Sequence, residues 1–311
     1  MMAPPIVRTN TIQASDGYPL TYQVYGESGP WIVTANGLAA NSSAWRYLNA
    51  YFADRYRILC WNYRGLYRDP SDSDVSSPSV VADHQGGISV YANDFVALLK
   101  HEHISTALWI GWGFGAQVLV HALSQQATDG DRAYYPEQLV LINPCYGRRP
   151  HAGVSVSRVR KLAPYALGAF ELWPSLVERL VRKAASWPET GPWLKRLRVV
   201  ADGLDEEAMA DTAGHVRALH VPTYLHALRL CLNTPLDSLL GHIDVPCLVV
   251  IGDRDVATRR HVAEPLARQI PGVELFVVRS ATHLAPLEFP ELINLRVEKF
   301  LREQQVSLSH I

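Results

Sequence analysis

The sequence predicts an α/β protein: a mostly parallel central sheet with helices on both faces and an inserted helical cap. Three observations carry this. Short apolar runs of strand length alternate with segments of helical spacing near both ends of the chain, the rhythm of parallel strands joined by helical crossovers. The stretch from about residue 148 to 234 holds no strand-like run and is broken by Pro150, Pro164, Pro174, Pro188, Pro192 and Pro222, so it is expected to be helical and outside the sheet. Between them, one apolar run turns into a helix through Gly111-Trp112-Gly113-Phe114-Gly115.

In chain order, residues 11–25 alternate around Ser15-Asp16-Gly17, a hairpin pattern. Residues 31–35 form a buried strand that ends at Asn36-Gly37, and 43–53 have helical spacing through Trp45, Leu48 and Phe52. A second buried strand, 56–61, leads into Asn62-Tyr63-Arg64-Gly65 and a polar loop. A helix is expected over 90–99, strands over 107–112 and 138–143, and a helix over 116–124. Sheet rhythm returns at 246–251 and 273–278, and a helix over 290–304 closes the chain. The expected division is a core first half at 1–147, a helical cap at 148–235 and a core second half at 236–311.

The chain has 311 residues, 48% hydrophobic and 19% charged, with a net charge of -1. That suits one large core plus an insertion. No generally basic surface favours nucleic acid as a partner. The four cysteines, Cys60, Cys145, Cys231 and Cys247, form no C-x-x-C pair, so neither a zinc site nor a disulfide framework is expected. Their usage fits a reducing cytoplasm. Met1-Met2-Ala3-Pro4-Pro5 has no signal-peptide pattern, and no apolar run is long enough to span a membrane. No metal cluster or phosphate-cradling loop stands out, so no metal and no cofactor are expected.

The glycine-rich turn has the layout of a nucleophile elbow. Its outer glycines let strand and helix approach closely, and its middle residue projects over the sheet edge. Gly-x-Gly-x-Gly alone is weak and could belong to a dinucleotide-binding fold. Against that, the strand is about the third of the parallel set and the third glycine comes one residue early. In the second half, Ile251-Gly252-Asp253-Arg254-Asp255 closes one strand and Ser280-Ala281-Thr282-His283 follows the next. The order elbow, Asp, His resembles the α/β-hydrolase superfamily over residues 20–147 and 240–305. The resemblance implies that Asp255 orients His283 and that His283 is the general base. It places Asn36-Gly37-Leu38 at the oxyanion loop, with the N–H groups of Leu38 and Phe114 as oxyanion donors. Asn36, Gly37 and Trp112 are expected around the pocket. Asn62 departs from the family's Asp-x-Arg-Gly stretch.

The larger departure is Gly113, which stands at the nucleophile position with no side chain to form an acyl-enzyme. Ser42, Ser43 and Thr282 are poor substitutes, and a structural role is favoured for Cys145. Three classes of function remain open. One is a serine hydrolase of ester or acyl type, acting on a hydrophobic substrate, with its nucleophile lost. The second is an enzyme using the His283–Asp255 pair as a base without a nucleophile, for water activation, lyase or cofactor-free oxygenase chemistry. The third is a non-catalytic binder or sensor. The cap adds one more reading. From Arg148 to Arg198 there are eleven basic residues against three acidic ones, interleaved with Leu162, Tyr165, Phe170 and Trp173. The plain expectation is an amphipathic lid over a hydrophobic pocket. The sharper one is a docking surface for an anionic partner.

Overall fold

The computed structural model describes residues 6–38, 40–67, 87–130, 132–147, 176, 179, 180, 183, 201, 204 and 206–308. Eight strands form one sheet: β1 (Ile6–Gln13), β2 (Pro19–Tyr25), β3 (Trp31–Ala35), β4 (Arg57–Trp61), β5 (Leu108–Trp112), β6 (Gln138–Ile142), β7 (Cys247–Gly252) and β8 (Glu274–Val278). Their spatial order is β1-β2-β4-β3-β5-β6-β7-β8. The β1–β2 hairpin and the β2–β4 pair are antiparallel, and every other pairing is parallel. The expected strands all form, and the hairpin lies where the alternation around Asp16 puts it.

The helices are α1 (Arg46–Phe52), α2 (Ser89–His101), α3 (Phe114–Asp129), α4 (Glu206–Ala218), α5 (Val221–Asn233), α6 (Asp237–Leu240), α7 (Arg260–Ala267), α8 (Ala285–Glu288) and α9 (Pro290–Leu308). A 3-10 turn, Ser42–Trp45, precedes α1, so the helical spacing at 43–53 resolves into two pieces. Asn41 opens that turn by accepting the Ser43 N–H, the usual role of a short polar side chain at a helix start. Helix α3 runs to Asp129, five residues past its expected end, and its start also differs. It starts at Phe114, two residues before the expected Ala116, because Gly113 caps it without any Ser, Thr, Asp or Asn signal. Pro222 falls in the first turn of α5, where its missing N–H costs nothing.

Burial explains why the central strands are continuous apolar runs. Every residue of β3, β5, β6 and β7 is buried, as in a sheet covered on both faces. Successive side chains alternate between two cores. Val33, Trp109, Leu139, Leu141 and Val249 pack with Phe95 and Leu98 of α2, Leu119 and Leu123 of α3, and Leu266 of α7. Ile32, Ile58, Ile110, Val140 and Val250 pack on the other side with Trp45, Phe52 of α1, and Val297 and Phe300 of α9. Of the stretch expected to form the cap, α4 and α5 are described, while most of the basic stretch 148–198 lies outside the described residues.

Arg64, just past β4, ties three parts of the first half together. Its guanidinium forms a two-pronged ion pair with Asp94 of α2 and also reaches Asp16 in the hairpin loop. Arg64 is 5% and Asp94 1% exposed, so neither can fall back on water. Asp94→Ala strands the guanidinium in the core beside Asp16 alone. It is expected to lower stability by about 3–5 kcal/mol, read as a lower urea midpoint at unchanged slope.

Candidate active site

Three glycines shape the turn between β5 and α3, each for a different reason. A Cβ on Gly111 would lie 2.6 Å from the Ala116 Cα, and one on Gly115 would lie 2.0 Å from the Ala35 carbonyl oxygen. Both positions are therefore closed to any side chain. Gly113 has φ 57 and ψ -113, a conformation that costs a side-chain-bearing residue strain. Its N–H donates to the Ile142 carbonyl at 2.9 Å, and its carbonyl accepts from the Cys145 N–H at 3.2 Å. A Cβ built there would stand 2.9 Å from His283 Nε2 and 3.8 Å from the Gly37 Cα. Position 113 thus faces the imidazole on one side and the loop after β3 on the other.

The carboxyl and the imidazole meet. His283 Nδ1 lies 2.8 Å from Asp255 Oδ2. Asp255 also accepts from the N–H groups of Ala257 and Thr258 and from the Thr258 hydroxyl, at 2.7, 2.9 and 2.6 Å. A carboxylate that takes four bonds is acceptor-only, so Nδ1 carries the proton and Nε2 points toward position 113. The Asp255 side chain is 0% exposed and that of His283 27%. Burial alone raises the Asp255 pKa, but the charge and hydrogen bond of His283 and the bonds from Thr258 hold it below the ordinary value. Burial alone lowers the His283 pKa, but the Asp255 charge and hydrogen bond reverse this, with smaller help from Cys145 and Glu288, and push it up to about 9. Each partner thus favours the charged form of the other.

The loop bearing His283 is fixed from several sides. Trp112 Nε1 donates to the His283 carbonyl at 2.8 Å, and its ring lies tilted under the imidazole. Asn143 Nδ2 donates to the carbonyls of Thr282 and His283. Glu288 is buried and accepts from the Thr282 N–H and hydroxyl and from the Ala201 N–H. The Thr282 hydroxyl oxygen accepts the Leu284 N–H. Nothing local in the sequence marks Asn143, Glu288 or Thr258, because their partners lie far along the chain or depend on the turn geometry.

Among the other expected site residues, Gly37 lies across from Gly113, and Phe114 is the first residue of α3, so its N–H is not used in the helical ladder. Leu38 is half-buried in the same loop as Gly37. Asn36 departs from its expected place in a pocket wall. It is 1% exposed, its amide donates to the Trp61 carbonyl and accepts from Trp45 Nε1, and its carbonyl takes the Tyr63 hydroxyl. It braces the loop from within the core. Trp112, 2% exposed, likewise supports the site from below. Asn62 accepts the Ser42 N–H at 2.8 Å, holding the far end of the same loop.

Neighbouring hydroxyls and thiols are engaged elsewhere. Ser42 Oγ bonds Gln23, and Ser43 Oγ bonds Asn41 and His215. A hydrogen bond to the Cys231 thiol, together with burial, pushes the Cys145 thiol well above its ordinary pKa. That disfavours the thiolate a nucleophile needs. Among the described residues no group of His, Cys, Asp and Glu could hold a metal ion, and no helix is long and apolar enough to cross a membrane.

The charge state of the pair sets a testable pH response. The folded His283 pKa lies above the unfolded value of about 6.5. Its pairing therefore stabilises the fold fully below that pH, and the contribution fades as pH rises through about 9. Asp255 behaves in the opposite sense, losing its contribution as pH falls through its lowered pKa. A carbon-detected titration of the His283 ring should show a midpoint near 9. Asp255→Asn should drop it below the ordinary value of about 6.5, since burial remains and the compensating charge is gone.

The site and sheet order can be set beside known proteins. The Alpha/beta hydrolase family matches residues 32–294. The chain is 24% identical to 3-oxoadipate enol-lactonase 2 of Acinetobacter baylyi, covering 94% of this chain and 96% of that one. It is 19% identical to the Karrikin insensitive 2 receptor IA of Petunia hybrida, covering 88% and 90%. An esterase from Exiguobacterium antarcticum superposes with a TM-score of 0.71 at 16% identity, over 95% of this chain and 100% of that one. With the matched family spanning the whole path from β3 through the elbow, Asp255 and His283 into α9, this chain belongs to the alpha/beta hydrolase family.

Proposed function

We propose that this chain is a serine-hydrolase scaffold for esters or related acyl substrates, with the acid–base pair kept and the nucleophile lost at Gly113. The observation that carries the reading is the direction of the missing side chain, whose Cβ would stand 2.9 Å from His283 Nε2. A hydroxyl one bond further falls within reach of Nε2, the relation a serine nucleophile needs to its base. In such a site His283 takes the hydroxyl proton, Asp255 stabilises the resulting imidazolium, and the N–H groups of Leu38 and Phe114 receive the oxyanion. The family's esterase and lactonase relatives support an acyl substrate.

A second reading has its own support. Nε2 faces position 113 and the ring is 27% exposed, so His283 can act on water or on a substrate proton directly. It does so only when neutral. Activity of this kind must rise with pH through about 9 and vanish in His283→Ala. A receptor among the relatives supports a third reading, binding without turnover that survives His283→Ala.

The occupant we propose is a hydrophobic small molecule held between cap and core. The basic stretch 148–198 is proposed as a docking surface for an anionic partner, a role that requires binding to weaken with added salt. Four free cysteines suit a reducing cytoplasm.

The test is hydrolysis of p-nitrophenyl acetate and butyrate by the native chain, by Gly113→Ser, and by His283→Ala in each. Turnover is expected in Gly113→Ser, falling by about 100-fold or more when His283→Ala is added. The new serine should cost about 1–3 kcal/mol of stability for its strained backbone, with the imidazole giving way by a few tenths of an ångström. His283-dependent turnover in the native chain would instead favour the second reading. Silence in all four, with ligand binding retained, would favour the third.

A further inference from the structure

We propose that Asn143 is a positioning residue: its side-chain amide fixes the Asp255 and His283 loops relative to each other, and with them the reach of Nε2 toward position 113. Asn143 directly follows β6 and is 0% exposed. Its N–H donates to the Val250 carbonyl at 2.8 Å. Its Oδ1 accepts the Gly252 N–H at 2.7 Å, three residues before Asp255. Its Nδ2 donates to the carbonyls of Thr282 and His283 at 2.9 and 3.1 Å. One planar amide thus bonds the end of the acid's strand and the backbone of the base.

Apart from the Asp255–His283 contact itself, the other contacts that join these loops stop short of His283. Asp253 N–H donates to Val278, Arg254 N–H to Ala281, and the Asp253 carboxylate accepts from Ser280. Trp112 and Glu288 hold the His283 loop to other elements. The amide of Asn143 is the bond from the Gly252 end that arrives at Thr282 and His283 themselves.

Two demands meet at this position. The backbone takes φ 43, a left-handed value that Asn tolerates better than other side-chain-bearing residues. The side chain must accept from one N–H and donate to two carbonyls at once, which a carboxamide does and a carboxylate cannot. Glycine would meet the first demand and fail the second. Aspartate would keep the shape and the tolerance, yet turn an acceptor toward two carbonyls. The pair of substitutions therefore separates backbone strain from the amide's bonds.

The consequence for turnover rests on the serine-hydrolase reading; the consequence for His283 titration does not. Asn143→Gly and Asn143→Asp are made in the native chain, and His283 is titrated by NMR. Both are also made with Gly113→Ser, and kcat and KM are measured on p-nitrophenyl butyrate. The expected result is a folded Asn143→Gly whose His283 midpoint falls by about one unit, as the Asp255 contact loosens. Its kcat should fall about 10- to 100-fold with KM within about twofold, because a misplaced base costs rate more than binding. Asn143→Asp should lower kcat in the same way, while its new carboxylate near the imidazolium opposes the fall of the midpoint, so the titration is read on Asn143→Gly. Folded variants with an unmoved midpoint and full kcat overturn the proposal, as does failure of both to fold, which makes Asn143 a folding residue instead. If Gly113→Ser itself is inactive, the hydrolase reading falls while the titration still decides the role of Asn143.

Discussion

The closeness of α3 to the sheet is the constraint from which the site follows. The first turn of this helix lies so near β3 that a single carbon on Gly115 would sit 2.0 Å from the Ala35 carbonyl. That contact forces the chain to leave β5 and enter the helix within one residue, and Gly113 absorbs the change with φ 57. The same approach brings the start of α3 beside the loop that follows β3, so that Gly37 and Phe114 flank position 113. Asn36 secures the loop from the other side by bonding Trp61 and Trp45. The geometry of the site comes from the packing of the backbone. It is the by-product of packing a helix against two parallel strands at nearly van der Waals limits.

Charge then decides what the assembled site can do. A buried carboxylate is costly unless saturated, and Asp255 is saturated by two N–H groups, a hydroxyl and the imidazole. Having been made tolerable, it raises the basicity of His283 by more than burial lowers it. The result is a ring whose cationic form is favoured and whose second nitrogen turns toward a position without a side chain. Such a group is a proton donor first and becomes a base only in alkaline solution. A serine nucleophile meets the same condition, since only the neutral ring, populated as pH rises through about 9, can take the hydroxyl proton.

Much of this was readable in the residues, and the unread parts share a cause. Strand runs such as Leu108–Trp112 and Cys247–Gly252 are apolar because they are buried on both faces, so composition alone betrays them. The elbow, Asp255 and His283 follow from motif order, since each closes or follows such a run. The start of α3 was obscured because a glycine caps it and leaves no polar signal. Asn36 looked like a pocket residue by its place in the oxyanion loop, but its bonds to Trp45 and Trp61 belong to tertiary packing. Asn143 and Glu288 bear no local mark at all. Their partners are 109 and 140 positions away for Asn143 and 87 for the Glu288–Ala201 bond, and such distances are invisible to any periodicity.

Gly113 brings the fold's interests and the chemistry's interests into opposition. At φ 57 a glycine sits without penalty where a serine would carry about 1–3 kcal/mol of strain, so the absence of a side chain favours the turn. It also lets the imidazole settle 2.9 Å from where a Cβ would be, closer than a side chain there would permit without the ring yielding. Neither gain requires an acid–base pair. An ion pair that must shed its water is a poor stabiliser, and well-packed apolar residues in its place often serve stability as well. If stability were the only demand on this turn, nothing would favour keeping Asp255 and His283 beside a glycine at 113. The chain instead keeps both, buries the carboxylate completely, and holds the His283 backbone with Trp112 and Asn143. What the architecture maintains is the aim of Nε2 at position 113, which is of use only to something that meets the imidazole there.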